Sequence, residues 1–142
     1  TAGTLKATKY IDTREKWAQD VKIEEHIGQG FVELVENGNT TGPQAEAIVG
    51  ASLKPMLDAG ADMIVLGCTH YPFLAETINK VAAATVPGRK TTIIDPAPAV
   101  AKHLTEVMKQ EGISMQSPDG YSIELHSSGD SDNLERTFRL IL

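Results

Sequence analysis

The fold is decided by the stretch Ala61-Asp62-Met63-Ile64-Val65-Leu66-Gly67-Cys68-Thr69-His70-Tyr71-Pro72, near the middle of a 142-residue chain. Its apolar run, Met63 to Leu66, is short and ends in a glycine turn, which is typical of a buried strand in a parallel sheet. Pro72 suits the first turn of a helix. The stretch therefore predicts a strand, a tight turn that carries Cys68, and then a helix.

Helical patterns lie on both sides of this strand. Residues 43–58 place apolar side chains at intervals of three and four, with Pro43 in the first turn and Gly60 at the stop. After the strand, a second helical face ends before Pro87-Gly88 and carries Leu74, Ile78 and Val81. A helix, a strand and a helix in this order predict an α/β layer.

The alternation continues toward the carboxyl terminus. Thr91 to Asp95 predicts a second strand, and Tyr121 to His126 alternates as a third strand would. Ser127 to Asp130 favours capping of a last helix over phosphate binding. Two helices are predicted here, with inner faces carried by Val100, Ala101, Leu104, Val107 and Met108 in the first and by Leu134, Phe138 and Ile141 in the second.

The amino-terminal third has weaker signals. Thr1 to Thr4 has the composition of a turn, and a helix is predicted through Tyr10 and Trp17. Phe31 to Val35 predicts a further strand, preceded by a plain loop at residues 28–30. Because the pattern begins at a turn without an initiator methionine, we expect the chain to be part of a longer α/β protein.

The composition and net charge narrow the classes of partner that the chain can have. Lys plus Arg is 13 and Asp plus Glu is 19, a net charge of −6, which argues against nucleic acid or anionic lipid as partners. The apolar runs are too short to cross a bilayer and no signal segment opens the chain, so a cytoplasmic location is predicted. Small molecules are the expected partners.

Cys68 is the one cysteine, and its thiol is either packed inertly in the core or used in chemistry. It lies where a strand gives way to a helix, the edge at which open α/β sheets bind ligands. Helix amides would favour a thiolate there, and His70 is close enough in sequence to exchange a proton with it. Glu36 would point from the same edge if its strand runs parallel. The scattered histidines and the absence of a Cys-x-x-Cys pair argue against a metal site.

Leu66-Gly67-Cys68-Thr69-His70-Tyr71-Pro72 resembles the second cysteine motif of bacterial glutamate racemases, in the aspartate and glutamate racemase superfamily. The resemblance spans nearly the whole chain. Ala7 and residues 28–30 depart from the family pattern in side details. Other segments that match in the family's order are Thr1-Ala2-Gly3-Thr4 with Tyr10, Phe31 to Glu36, Ile94-Asp95-Pro96-Ala97 and Ser128-Gly129-Asp130.

The family's first cysteine, in an Asn-Thr motif of the amino-terminal half, has no counterpart here, so the chain resembles the carboxy-terminal half. The resemblance implies an α/β parallel-sheet lobe with flanking helices, a fragment of a two-lobed racemase fold. Residues 1–89 would form most of the second lobe. Residues 90–142 would be the returning segment of the first lobe, without its partner strands. The isolated fragment is expected to be inactive.

The resemblance also implies roles for individual residues. Cys68 would remove the α-proton from one glutamate enantiomer and donate a proton to the other. His70 would assist that proton transfer and contact the substrate, and Glu36 would be an accessory catalytic carboxylate. Thr69 and Thr4 would bind substrate. The resemblance implies neither a cofactor nor a metal. It implies a homo-oligomeric enzyme that supplies D-glutamate for peptidoglycan.

Two other functions stay open on the residues alone. A related isomerase, such as an aspartate racemase, typically has glutamate at the position of His70. A non-catalytic domain that binds small anions would keep the sheet edge without a reactive thiol.

Overall fold

The computed structural model describes residues 2–113 and 122–139. The chain divides between Asp95 and Pro96 into two compact units. The elements of the first unit are α1 (Ala2–Leu5), α2 (Thr8–Trp17), α3 (Phe31–Glu36), α4 (Pro43–Asp58), β1 (Met63–Val65), a 3-10 helix (Tyr71–Leu74), α5 (Ala75–Thr85) and β2 (Thr92–Ile94). Those of the second are α6 (Ala97–Gln110) and α7 (Ser131–Phe138).

The core of the first unit lies between α4 and α5, as the apolar spacing predicts. Pro43 opens α4, where its missing N–H costs no hydrogen bond. The inner face of α5 continues from the preceding 3-10 helix. The buried apolar residues of these two faces are Ala45, Val49, Leu53, Leu57, Leu74, Ile78, Val81 and Ala82.

Both central strands are confirmed. They pair in parallel, with Ile64 opposite Ile93, and the Leu66 N–H donates to the Ile94 carbonyl at 3.0 Å. Ile64 is buried in the core, whereas Met63 and Val65 are exposed on the opposite face. This alternation fixes the direction in which the chain leaves β1 toward Cys68.

The strand predicted for Phe31 to Val35 is wrong, because these residues begin helix α3. Phe31, Leu34 and Val35 are the buried residues of α3, and their spacing of three and one is that of a helical face. The turn predicted at the amino terminus is also replaced, over its described residues, by the short helix α1. Helix α2 is confirmed.

The second unit corrects two further expectations. Helix α6 forms, but its predicted inner face is not buried: Val100 is 65% exposed and Leu104 is 58% exposed. Residues 122–126 form no strand, because no described strand pairs with them, and Tyr121 lies outside the described residues. An extended segment needs such a partner for its backbone hydrogen bonds.

Helix α7 is confirmed over its described residues, while Ile141 lies outside them. Its cap is Asp130, whose carboxylate accepts from the N–H groups of Asp132 at 2.9 Å and Asn133 at 3.4 Å. Capping therefore explains this segment, as expected. Among the helices of both described ranges, none has the length and apolar character of a membrane span.

Candidate active site

Cys68 lies in the bend that joins β1 to the 3-10 helix, three residues after the strand ends. Its carbonyl accepts from the Tyr71 N–H at 3.1 Å, which closes the turn. The side chain is half-buried and touches the edge of the core. Cys68 is therefore partly accessible to solvent and not fully enclosed in the core.

Two contacts connect this thiol to a carboxylate through a histidine. Cys68 Sγ lies 3.9 Å from His70 Nδ1, and His70 Nε2 lies 2.7 Å from Glu36 Oε1. The histidine and the carboxylate are both only partly exposed, with 31% of the His70 side chain and 39% of the Glu36 side chain accessible. Glu36, His70 and Cys68 thus form a continuous array, which we call the Glu–His–Cys array.

The array fixes what the imidazole can do. When the neutral ring donates its Nε2–H to the Glu36 carboxylate, its Nδ1 lone pair is left facing the thiol. The ring can then accept the thiol proton, and the carboxylate stabilises the imidazolium that results. A base oriented by a third group is the arrangement that activates thiols and hydroxyls in many enzymes.

Glu36 reaches this site by a route different from the one predicted. It was expected at the end of a strand parallel to β1, but it is the last residue of helix α3. Helix α3 packs against the 3-10 helix that begins just after His70, and this packing brings the two side chains together across 34 residues of sequence. The predicted proximity is present, while the predicted element is not.

The two threonines have different surroundings. Thr69 is exposed and directly follows Cys68 in the turn after β1. Thr4 lies on α1, which packs against α2. The substrate-binding roles of both residues remain predictions.

Tyr71 belongs to the site but was given no role from the sequence. It is buried, and burial raises the pKa of its phenol, with a further increase from the negative charge of the neighbouring Cys68. Its ring meets the Phe31 ring edge to face, with centroids 5.0 Å apart. Its place directly after His70 is the signal that could have identified it.

The arrangement is rich in proton-transfer groups and has no cluster of metal ligands. In residues 2–113 and 122–139, no three or more His, Cys, Asp and Glu side chains are placed to hold a metal ion. What the site offers is a thiol, an imidazole and a carboxylate in sequence.

Several curated glutamate racemases are similar to this chain in sequence. A glutamate racemase from Roseiflexus is 38% identical over 113 residues, which cover 80% of this chain and 40% of that protein. One from Ralstonia pickettii is 40% identical over 113 residues, covering 80% of this chain and 38% of that protein. The chain thus spans about 40% of the length of these curated relatives.

Solved structures of glutamate racemases are similar to this chain in fold. A glutamate racemase isoform from Bacillus anthracis matches with a TM-score of 0.66 and 28% identity, over 80% of this chain and 41% of that one. The Thermus thermophilus glutamate racemase, crystallised with β-chloro-D-alanine, matches with a TM-score of 0.62 and 26% identity, over 93% and 48%. The sequence model of the Asp/Glu/hydantoin racemase family matches residues 14–104. By this match, together with an α/β fold built around the strand that leads to Cys68, the chain belongs to the Asp/Glu/hydantoin racemase family.

Proposed function

We propose that this chain is the carboxy-terminal half of a glutamate racemase and supplies one of its two proton-exchanging thiols. The observation that carries the proposal is the Glu–His–Cys array, in which Sγ of Cys68 lies 3.9 Å from a histidine that is itself held by a carboxylate at 2.7 Å. Glutamate is favoured over aspartate because the similar proteins are glutamate racemases and because His70 is present.

The chemistry requires two bases. Inversion at the α-carbon removes a proton from one face and delivers another to the opposite face, so two groups in opposite protonation states must bracket the carbon. Cys68 is the sole cysteine of this chain. The second thiol must therefore come from the amino-terminal half, which this chain does not contain.

One cycle balances as follows. The thiol proton of Cys68 passes to Nδ1 of His70, giving a thiolate and an imidazolium paired with Glu36. The thiolate takes the α-proton from one face of glutamate, and the electron pair remains on the carbon and its carboxylate. The opposing thiol then donates its proton to the other face, which completes the inversion and leaves a thiolate there. The imidazolium loses its proton to solvent and the opposing thiolate takes one up, which restores the starting state. In the reverse direction Cys68 is the proton donor.

Substrate binding completes the proposal. We place a glutamate carboxylate near Thr69 and Thr4, where hydroxyl groups can donate to it. His70 contributes to the same binding surface, and charge that develops on the carbon is offset by hydroxyls and amides already in position. Neither a metal nor an organic cofactor is needed for this scheme.

The proposal extends to the organisation of the whole protein. We propose that residues 1–89 form most of one lobe of that protein and residues 90–142 a returning segment of the other. The product would serve peptidoglycan synthesis in the cytoplasm. We also propose that this chain forms a homo-oligomer through the apolar residues that α6 leaves exposed.

The test measures D-glutamate formed from L-glutamate by this chain alone and by the chain extended with the residues encoded upstream of Thr1. The chain alone is expected to form little or none, and the extended protein to turn over many times. Cys68→Ala in the extended protein should abolish turnover. Robust racemisation by the chain alone would contradict a mechanism that needs two thiols.

A further inference from the structure

We propose that the ring pair of Phe31 and Tyr71, which packs against Gly28, is the positioning element that holds Glu36 against His70. The inference rests on the proposed function, because it concerns how the Glu–His–Cys array of that function is assembled. It adds a role for residues that do not themselves touch the reacting atoms.

The two rings lie at the starts of the two neighbouring elements. Phe31 is the first residue of α3, and Glu36 is the last. Tyr71 is the first residue of the 3-10 helix and directly follows His70. The two elements that carry the Glu36–His70 pair are therefore joined by a contact between their first residues.

The contact is well buried and specific in geometry. Phe31 is 4% exposed and Tyr71 is 9% exposed, and their rings meet edge to face at 68° with centroids 5.0 Å apart. By comparison, the pair that it would hold in place is partly open to solvent. An aromatic pair of this kind resists sliding in a way that one partly exposed ion pair does not.

Both rings pack directly against Gly28, where there is no room for a side chain. A Cβ atom built on Gly28 would lie 2.8 Å from the Tyr71 hydroxyl oxygen and 2.8 Å from Cδ2 of Phe31, so both rings would have to move. The Gly28 carbonyl also accepts from the Phe31 N–H at 3.3 Å, which connects the same loop to the first residue of α3. The loop before α3 is thus connected to both rings.

The experiment uses the full chain and its single thiol. The rate at which iodoacetamide alkylates Cys68 is measured against pH, since the thiolate is the reacting form. His70 and Glu36 shape this profile in the proposed array, and the other charged or titratable neighbours to be considered are Tyr71 and Glu33. Glu36→Gln gives the profile of an array without its carboxylate.

Tyr71→Leu and Phe31→Leu each remove one ring. Both are expected to shift the profile to that of Glu36→Gln and to lower the alkylation rate at neutral pH by roughly threefold or more. Tyr71→Phe keeps the ring and should restore the wild-type profile. Phe73→Leu removes a ring from the same 3-10 helix, where it packs on the core, and should leave the profile unchanged even where it lowers stability.

A glycine pair answers the same question if the ring variants fail to fold. Gly28→Ala should shift the profile. Gly50→Ala is the control, because a Cβ there has only an ordinary contact of 3.8 Å with Val81, and it should not shift the profile.

The outcomes separate this inference from the proposed function. If Glu36→Gln shifts the profile but the ring variants and Gly28→Ala keep the wild-type profile, the positioning role is overturned and the array stands. If Glu36→Gln also leaves the profile unchanged, both the positioning role and the relay through His70 are overturned.

Discussion

Helices α4 and α6 carry the same kind of apolar pattern and have opposite surroundings. In α4, Leu53 and Leu57 are buried against the rest of the first unit, whereas on α6 Val100 and Leu104 are largely exposed. Helix α6 has no buried residue at all. The comparison teaches that apolar spacing predicts a helix and the face it would bury, but not whether a covering surface is present.

The largest expected effect comes from truncating one leucine side chain to alanine on each of the two helices. Leu57→Ala should lower the free energy of unfolding by about 3 kcal/mol, because it leaves a cavity in a packed core. Leu104→Ala should change it by less than about 0.5 kcal/mol, since the side chain is already in contact with solvent. Urea denaturation followed by circular dichroism measures both. Equal losses would mean that α6 is as well packed as α4.

The exposed face of α6 should also drive self-association. Leu104→Lys is expected to weaken it about tenfold or more, equivalent to about 1.4 kcal/mol, because a charge replaces an apolar contact. Sedimentation velocity over a concentration series measures the change. Lys102→Ala on the same helix is a control for a change of surface charge. A wild-type chain that sediments as a clean monomer would show that this face does not self-associate.

A smaller effect is expected at the cap of α7. Asp130→Ala removes the acceptor for two backbone N–H groups and should lower the stability of α7 by about 1 kcal/mol. Amide hydrogen exchange should speed up in residues 132–138 and stay the same in α4. Asp130→Asn keeps a capping oxygen and should retain most of the protection. A uniform change across both units would contradict the local role of this cap.

The smallest effect is expected at the surface of the first unit. Nζ of Lys80 on α5 lies 2.7 Å from Oε1 of Glu46 on α4, but the lysine side chain is 65% exposed. Lys80→Ala should lower the unfolding free energy by no more than about 0.5 kcal/mol, and salt should reduce even that difference. Lys54→Ala breaks a pair within α4 and serves as the comparison. A loss comparable to that of Leu57→Ala would show that ion pairs join these helices more than core packing does.

The regions that the sequence predicts well have redundant signals. Residues 43–58 combine a helical period with a proline at the start and a glycine after the end. Strand β1 is a continuous apolar run before a glycine turn, and β2 ends in the pair Ile93-Ile94 before Pro96. In contrast, residues 31–36 carry only three buried apolar residues, which fit a strand or a helix about equally well over so short a length.

The site shows a similar division. Cys68, His70 and their bend follow from local sequence, because a strand, a glycine and a proline define the turn. The contact of His70 with Glu36 joins residues 34 positions apart and depends on how α3 packs. Local patterns contain no information on that packing, so the proximity was predicted from a strand at residues 31–35 that is in fact helix α3. The Phe31–Tyr71 contact was missed for the same reason.

The central claim, that Cys68 is one of two opposed proton-exchanging thiols, is tested most directly by the fate of solvent deuterium. The chain extended with the residues encoded upstream of Thr1 is incubated with L-glutamate in D₂O, and both enantiomers are analysed at low conversion. Two opposed thiols predict D-glutamate that carries deuterium at the α-carbon while the remaining L-glutamate carries almost none. D-Glutamate that retains the original proton would indicate a single base that returns it, and would contradict the account.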